Sequence, residues 1–211
     1  MKAIRCLMLD MGGVLTQAQR MDKVDELMSI LGANCDRDAF RRVYFELRFD
    51  YDRGTVDGAE YWRRVARAQG LTLRESDIPK LVSVDLESWF TMRPDMLEFL
   101  GGVKHRVGRL VLLSNIHADG VRYIREGNGC SWAGQFHELV LSCEHKLLKP
   151  ERAIYELALK VSGMSPTETL FVDDNEENVT GAQRAGLSSF RFIDEVDFFA
   201  RLSSEYEFVH Q

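Results

Sequence analysis

The 211-residue chain lacks the features that mark membrane, secreted and nucleic-acid-binding proteins. Its apolar runs all fall short of the ~18 residues that a membrane-spanning helix needs. Too few apolar residues lie between Lys2 and Asp10 to form a signal peptide. The formal net charge of −6 disfavours nucleic acid as a partner. We therefore expect a cytoplasmic globular protein that binds neither a membrane nor nucleic acid.

The chain also has few cysteines, and no two of them form a CxxC pair. The four are scattered as Cys6, Cys35, Cys130 and Cys143. This spacing disfavours a disulfide framework and a zinc site, and it favours reduced thiols. Hydrophobic residues make up 45% and charged residues 28% of the chain, as in ordinary globular proteins. The length suits one α/β domain, or a core with a smaller inserted domain.

Helical periodicity dominates the segment 17–91. Apolar residues recur at helical spacing from Val24 to Leu31, and Gly32 is expected to end that helix. Asp57 and Glu60 have the spacing of a capping box that begins a later helix. The patterns predict three helices after the first, at about 36–49, 58–69 and 75–89.

Beyond Pro94, short apolar runs alternate with helical patterns. Such alternation predicts a parallel sheet built from βαβ units. The predicted strands are 4–10, 109–115, 138–142, 169–174 and 188–193, and the clearest helices between them are 151–162 and 176–185. The simplest architecture is a doubly wound α/β core, residues 1–16 plus 92–211, with a helical domain inserted at 17–91.

Polar residues suited to phosphate chemistry stand at the ends of the predicted strands. Ligands of open α/β sheets bind beyond the carboxyl ends of the strands, so these residues are expected to share one crevice. They are Asp10, Ser114, Asn115, Asp173 and Asp174, together with Lys149, whose neighbour Pro150 is expected in the first turn of the next helix. Three clustered carboxylates repel one another and need a cation, and oxygen ligands favour Mg²⁺. Gly12 and Gly13 allow a tight turn whose amides could approach a phosphate.

Four segments resemble, in the right order, the four motifs of the haloacid dehalogenase superfamily. They are "LMLDMGGVLT", "VLLSN", "LSCEHKLLKPERAIY" and "LFVDDNEENVTGAQRAG". The resemblance covers nearly the whole chain and is closest to the DxGGV group, which includes sugar-1-phosphatase-like members. It implies a helical (C1-type) cap at 17–91 that closes over the crevice. It also implies a Mg²⁺-dependent phosphatase for a small phosphorylated metabolite. We expect a monomer or a homodimer.

The resemblance implies a role for each motif residue. Asp10 would be the nucleophile that forms an aspartyl-phosphate, and Lys149 would balance charge beside it. Asn178 and Gly181 would shape the loop and helix behind the paired aspartates. The implied phosphate-binding residues are Gly12, Gly13, Ser114, Asn115 and Lys149. The implied metal ligands are Asp10, Gly12 through its backbone carbonyl, Asp173 and Asp174.

The chain departs from the superfamily pattern at Gly12, where phosphatases usually have a second aspartate as general acid and base. That group is worth about 10²–10⁴ in rate. Three interpretations stay open: a phosphatase that handles good leaving groups or finds its acid elsewhere, a metal-independent 2-haloacid dehalogenase, and a non-catalytic phospholigand-binding or regulatory protein. The pair Asp173 and Asp174 argues against the dehalogenase, which needs no metal. If another residue supplies the proton, the candidates are Asp50, Tyr51 and Asp52.

Other polar and aromatic residues have more ordinary interpretations. The arginine-rich segment 37–67 is expected to be mainly a solvated surface, with Arg48, Arg53 and the loop at Gly54 as its candidates for substrate contact. His117 and His145 are expected at the surface. The aromatic side chains expected to pack between the inserted helices are Tyr44, Phe45, Phe49 and Trp62.

Overall fold

The computed structural model describes residues 1–34, 36–127 and 130–209, and it is built around a five-stranded parallel sheet. The strands, in their spatial order, are β4 (Glu138–Leu141), β3 (Arg109–Ser114), β2 (Cys6–Leu9), β5 (Thr169–Asp173) and β6 (Ser188–Arg191). A separate parallel pair joins β1 (Lys2–Ile4) to β7 (Tyr206–Phe208). The α/β class with a parallel sheet is therefore confirmed.

Alternate side chains of the central strand β2 enter two different hydrophobic clusters. Leu7 and Leu9 pack on one face of the sheet, and Cys6 and Met8 pack on the other. One face is covered by α6 (Pro94–Val103), α7 (Ala118–Glu126) and α11 (Glu195–Glu205), the other by α9 (Arg152–Ser162) and α10 (Glu176–Arg184). Burial on both faces explains why the strands are continuous apolar runs. The sequence patterns above give no bounds for α6, α7 and α11.

Five helices lie between β2 and α6 in the chain and share a third hydrophobic cluster. They are α1 (Met21–Leu31), α2 (Arg37–Glu46), α3 (Arg48–Asp52), α4 (Gly58–Ala68) and α5 (Ile78–Trp89). Gly32 ends α1 in the left-handed conformation, with φ 68°. Asp57 begins α4 by accepting a hydrogen bond from Glu60 N at 2.8 Å, as the capping pattern predicts.

The inserted helices leave and rejoin the core at adjacent points. Thr16 and Met92 form an antiparallel bridge, and Gln17 N donates to Thr91 O at 2.7 Å. The helix predicted at 36–49 differs from the structure, because the chain turns at Leu47 and begins the short helix α3. As a result, α3 is a separate element that runs up to the sheet edge.

The expected place of Pro150 in the first turn of a helix is wrong. Helix α9 begins at Arg152 with Glu151 as its N-cap, and Pro150 precedes it in a turn with a cis peptide bond to Lys149. Glu151 N donates to Leu148 O at 2.8 Å, which closes that turn. A short helix, α8 (Ser142–His145), connects β4 to this segment.

Of the four cysteines, Cys6, Cys130 and Cys143 are buried and form no disulfide, and Cys35 lies outside the described residues. Among the helices described here, none combines the length and the apolar composition needed to cross a membrane.

Candidate active site

Lys149 joins two carboxylates at the carboxyl edge of the sheet. Its Nζ lies 2.8 Å from Asp10 Oδ1 and 2.6 Å from Asp173 Oδ2. The Lys149 side chain is 1% exposed. Burial opposes its charge, but the charges of Asp10 and Asp173 outweigh burial and raise the pKa of Lys149. The ammonium is therefore a fixed positive charge within the site.

Asp10 directly follows β2, and its backbone N–H donates to Val172 O on the neighbouring strand at 3.0 Å. Burial raises the pKa of Asp10 to about 7, Lys149 opposes the rise, and the negative charges of Asp173 and Asp174 add to it. The crowding of carboxylates expected from the sequence therefore occurs in the folded chain. A cation among them would favour the ionised Asp10 that a nucleophile requires.

The three aspartates fit a divalent metal. Asp10, Asp173 and Asp174 each offer a carboxylate oxygen, and these oxygens lie within 4.8 Å of one another. With Lys149 as the adjacent cation, the group has three carboxylates and one positive charge. Mg²⁺ prefers oxygen ligands and keeps several waters, so a partly exposed carboxylate set suits it. Asp174 is the exposed member of the three.

The first residues of α10 and its N-cap hold the Asp173 carboxylate in place. Asn178 Nδ2 lies 3.1 Å from both carboxylate oxygens of Asp173, and Asn175 N donates to Oδ1 at 2.8 Å. Asn175 also caps α10, as expected for the residue before that helix. A Cβ on Gly181 would lie 2.8 Å from Pro150 Cβ, so the absence of a side chain lets α10 approach the Lys149–Pro150 segment.

At the end of β3, Ser114 and Asn115 differ in what they can offer a ligand. Ser114 is buried and lines the same cavity as Asp10. The Asn115 side chain instead bonds the backbone of Lys149. Its Nδ2 donates to the Lys149 carbonyl at 2.9 Å, and its Oδ1 accepts from the Lys149 N–H at 2.8 Å. The structure thus gives the Asn115 side chain a positioning function, while its expected contribution to phosphate binding stays a prediction.

The two glycines after Asp10 have different surroundings. A Cβ on Gly12 would meet no atom within 4 Å, and Gly12 is not among the glycines with positive φ. Gly13 has φ 73°, and a Cβ there would lie 2.1 Å from Asp174 Oδ2. The N–H of Gly13 donates to Thr16 Oγ1 at 3.3 Å. Gly13 therefore lets Asp174 come close, and Gly12 leaves open space beside the nucleophile.

Two adjoining cavities, of about 160 Å³ and about 240 Å³, lie between the inserted helices and the sheet edge. Asp10, Gly12, Ser114 and His117 line the smaller cavity, and Lys149 lines the larger. The apolar walls of the smaller cavity include Phe45, Leu86, Trp89, Phe90 and Ile116. Four residues line both cavities, namely Phe45, Arg48, Asp52 and Asn115.

A largely buried polar network among the inserted helices was not predicted from the sequence. Arg48 bonds Asp52 Oδ1 and Asp85 Oδ2, each at 3.0 Å. Tyr44 donates to Asp85 Oδ1 at 2.5 Å, and Trp89 Nε1 donates to the Tyr44 hydroxyl at 2.9 Å. A signal for Asp85 exists, because it shares the buried face of α5 with Leu81, Val84 and Ser88 at helical spacing.

The structure corrects three expectations about individual side chains. His117 is 2% exposed rather than on the surface; its Nδ1 accepts from Gly120 N at 3.2 Å, and its ring stacks on Tyr51 at 3.9 Å. Phe49 is 62% exposed and Phe45 38% exposed, so neither is enclosed between helices. Tyr44 and Trp62 are buried as expected, and His145 is exposed.

The remaining candidates in the inserted helices also have defined surroundings. Asp50 is exposed and pairs with Arg64 at 2.8 Å, away from both cavities. Arg53 bonds Glu151 and donates to Lys146 O at 3.0 Å, so it ties the inserted helices to the core. Lys146 in turn donates to the carbonyl of Gly54. These contacts give Arg53 and Gly54 a structural function in the contact between the two parts of the chain.

The chain matches known proteins in sequence and in fold. A family model described as haloacid dehalogenase-like hydrolase matches residues 4–186. The sesquiterpene phosphatase astK of Aspergillus oryzae is 24% identical over 192 residues, which cover 90% of each chain.

Two solved structures show the likeness in fold. The HAD family enzyme BT-2542 of Bacteroides thetaiotaomicron, in complex with magnesium and inorganic phosphate, has a TM-score of 0.75 and 23% identity, over 93% of this chain and 99% of that one. The L-2-haloacid dehalogenase of Xanthobacter autotrophicus, with chloropropionic acid covalently bound, has a TM-score of 0.67 and 20% identity, over 96% and 83%. At these identities the two structures establish the fold alone.

Proposed function

The chain belongs to the haloacid dehalogenase-like hydrolases, and we propose that it is a Mg²⁺-dependent phosphatase for small phosphoric monoesters. One observation supports this above the others. Three aspartate oxygens lie within 4.8 Å of one another, beside a buried lysine that contacts two of the three side chains. This arrangement suits a phosphoryl group held between a divalent cation and an ammonium.

In the proposed first step, a carboxylate oxygen of Asp10 attacks phosphorus and the bond from phosphorus to the ester oxygen breaks. This produces an aspartyl-phosphate, and the departing alcohol oxygen takes up a proton. Water then attacks phosphorus, which releases inorganic phosphate and restores the Asp10 carboxylate. Lys149 stays protonated at 2.8 Å from Asp10 Oδ1 and offsets the charge of the phosphoryl group. Ser114 is proposed to donate to a phosphate oxygen.

The proposed ligands of the metal are Asp10, the backbone carbonyl of Gly12, Asp173 and Asp174. Mg²⁺ bound there would neutralise part of the charge that the carboxylates and the phosphoryl oxygens bring together. Asn178 then acts as the residue that orients Asp173, because its amide reaches both carboxylate oxygens at 3.1 Å.

We propose that the segment 17–91 is a cap that covers the site and selects the substrate. The side chains of Phe45, Leu86, Trp89 and Phe90 line the cavity beside Asp10, which favours a substrate whose organic group is apolar. The relative named as a sesquiterpene phosphatase supports this choice. A sugar-1-phosphate remains the substrate that the motif resemblance predicts, so both kinds belong in the first assays.

A metal-independent 2-haloacid dehalogenase is the second candidate, favoured by the glycine at position 12, where phosphatases of the family usually have an aspartate. The clustered Asp10, Asp173 and Asp174 favour the phosphatase, because repulsion among three carboxylates is relieved by a cation.

The test compares purified wild type and Asp10→Asn on aryl, prenyl and sugar phosphates and on 2-chloropropionate, each with Mg²⁺ and with EDTA. We expect phosphate release by the wild type with Mg²⁺ alone, and none by Asp10→Asn. Acid-quenched wild type should carry a phosphoryl group on Asp10, detected by mass spectrometry. Chloride release in EDTA would instead establish the dehalogenase, and the absence of both reactions would support a binding protein.

A further inference from the structure

We propose that Asp52 donates the proton to the leaving group in place of the aspartate that is missing at Gly12. The inference rests on the proposed phosphatase function and adds a catalytic residue to it. Asp52 comes from helix α3, outside the four sequence motifs, and lines the same cavity as Asp10 at the end of β2.

Asp52 shares a cavity with the nucleophile and with the position of the missing acid. The residue lines both cavities, and the smaller cavity is also lined by Asp10 and Gly12. The Asp52 side chain is 14% exposed, so it is partly open to this space. Its Oδ1 accepts from Arg48 Nε at 3.0 Å. Within the described part of the chain no group donates a hydrogen bond to Asp52 Oδ2. This oxygen is nevertheless accessible from outside the protein, so it is open to the cavity.

Helix α3 is fixed firmly enough to present this oxygen. The Ser142 hydroxyl donates to the Asp52 carbonyl at 2.6 Å and accepts from Ile116 N at 2.8 Å. The neighbouring Tyr51 donates to Asp119 Oδ2 at 2.7 Å. These bonds connect α3 to the segments that follow β3 and β4. Since Ser142 uses only the backbone of Asp52, this contact is kept when the Asp52 side chain is changed.

Charge balance around Arg48 favours a proton on Asp52. The single guanidinium of Arg48 bonds two carboxyl groups, the partly exposed Asp52 and the buried Asp85. Asp85 accepts hydrogen bonds from both Arg48 and Tyr44, whereas Asp52 accepts from Arg48 alone. His117 adds no compensating charge, because burial holds its pKa well below the usual range. Burial raises the pKa of Asp52 and outweighs the opposing charges of Arg48 and Lys149.

The proposed proton transfers balance over the whole cycle. As Asp10 attacks phosphorus and the ester bond breaks, the Asp52 carboxyl group gives its proton to the departing oxygen, and the alcohol leaves neutral. Asp52 is then a carboxylate. When water attacks the aspartyl-phosphate, this carboxylate takes one proton from the water, the hydroxide oxygen goes to phosphorus, and Asp52 is protonated again.

The experiment compares wild type, Asp52→Asn and the control Asp50→Asn with Mg²⁺ present, on substituted phenyl phosphates and one alkyl phosphate. Asp50 lies on the same helix but is exposed and pairs with Arg64. For each enzyme, log(kcat/KM) is plotted against leaving-group pKa. The quantity kcat/KM reports the steps up to the departure of the alcohol, which is the step that Asp52 is proposed to assist.

The wild type and Asp50→Asn should give shallow, superimposable plots. Asp52→Asn should give a steep one, with kcat/KM lowered by about 10²–10⁴ for the alkyl phosphate and nearly unchanged for the most acidic phenol. With that phenol, kcat and KM should fall together, and phosphorylated enzyme should accumulate, because the second step has lost its base.

Three results would overturn the inference. A steep plot for the wild type would mean that no residue donates the proton, whatever the variants do. Superimposable plots for wild type and Asp52→Asn would show that Asp52 takes no part in this step, and parallel plots, with an equal loss on every substrate, would show that Asp52 serves only the structure. A wild type inactive on the aryl and alkyl phosphates, and also on prenyl and sugar phosphates, would overturn the phosphatase function itself, and it is distinguished by the absence of any rate to plot.

Discussion

Asn115 and Lys149 hold each other through a reciprocal pair of hydrogen bonds. Asn115 Nδ2 donates to the Lys149 carbonyl at 2.9 Å, and the Lys149 N–H donates to Asn115 Oδ1 at 2.8 Å. The pair connects the end of β3 to the segment before α9, and it fixes the backbone from which the Lys149 ammonium reaches Asp10. Asn115 therefore positions the lysine through backbone contacts alone.

The substitution Asn115→Ala should destabilise the protein and also lower kcat. It removes both bonds and leaves a backbone donor and acceptor of Lys149 unpaired, at a cost of about 1–3 kcal/mol in the free energy of unfolding. Urea unfolding measures this cost, with Asn34→Ala as the control because Asn34 is exposed. Equal stability of the two variants would contradict the positioning function of Asn115.

Mg²⁺ should stabilise the wild type against unfolding. A ligand that binds only the native state adds RT ln(1 + [L]/Kd), or about 2.7 kcal/mol at a concentration of ~100 Kd. The gain should be largely lost in Asp174→Asn, which removes the exposed carboxylate of the cluster, and kept in Asp38→Asn, an exposed site on α2. Thermal melts with and without Mg²⁺ measure it, and an unchanged Tm of the wild type would argue against the metal site.

His117 should make stability depend on pH. Burial, together with the charge of Arg48, holds its pKa well below the usual ~6.5 of the unfolded chain. At acidic pH the unfolded state therefore binds a proton at His117 that the folded state does not bind. The resulting stability is present above about pH 6.5 and is lost as the pH falls, by up to ~1.4 kcal/mol per pH unit.

The variant His117→Asn isolates this contribution, because asparagine can also cap α7. The free energy of unfolding of the wild type minus that of His117→Asn should decrease as the pH is lowered from about 7.5 to about 5. The same comparison with His145→Asn, at an exposed position, should show little change. A constant difference for His117→Asn would mean that the imidazole is readily protonated in the folded protein.

The residues of the strand ends could be predicted because parallel strands bring their carboxyl ends to one edge. Asp10, Lys149 and Asp173 lie together there. Contacts between distant segments could not be predicted in this way. Arg48 and Asp85 are 37 residues apart in the chain, and each has an ordinary interpretation alone. The burial of His117 could not be predicted either, because it depends on Tyr51 packing over it from another part of the fold.

The last prediction is a rescue of the acid function, because Gly12 occupies the position of the usual acid and Asp52 is proposed to replace it. In the Asp52→Asn background, Gly12→Asp places a carboxyl group beside the nucleophile, where a Cβ meets no atom within 4 Å and the backbone needs no positive φ. We expect it to restore much of the kcat/KM lost for the alkyl phosphate. A general acid raises the rate by a factor of about 10²–10⁴. The plot against leaving-group pKa should become shallow again. Gly12→Asn in the same background is the matched control, because it has the same size but cannot donate a carboxylic proton. If Gly12→Asn restores the rate equally, the side chain acts by packing or by orienting the substrate, and the proton must come from another group.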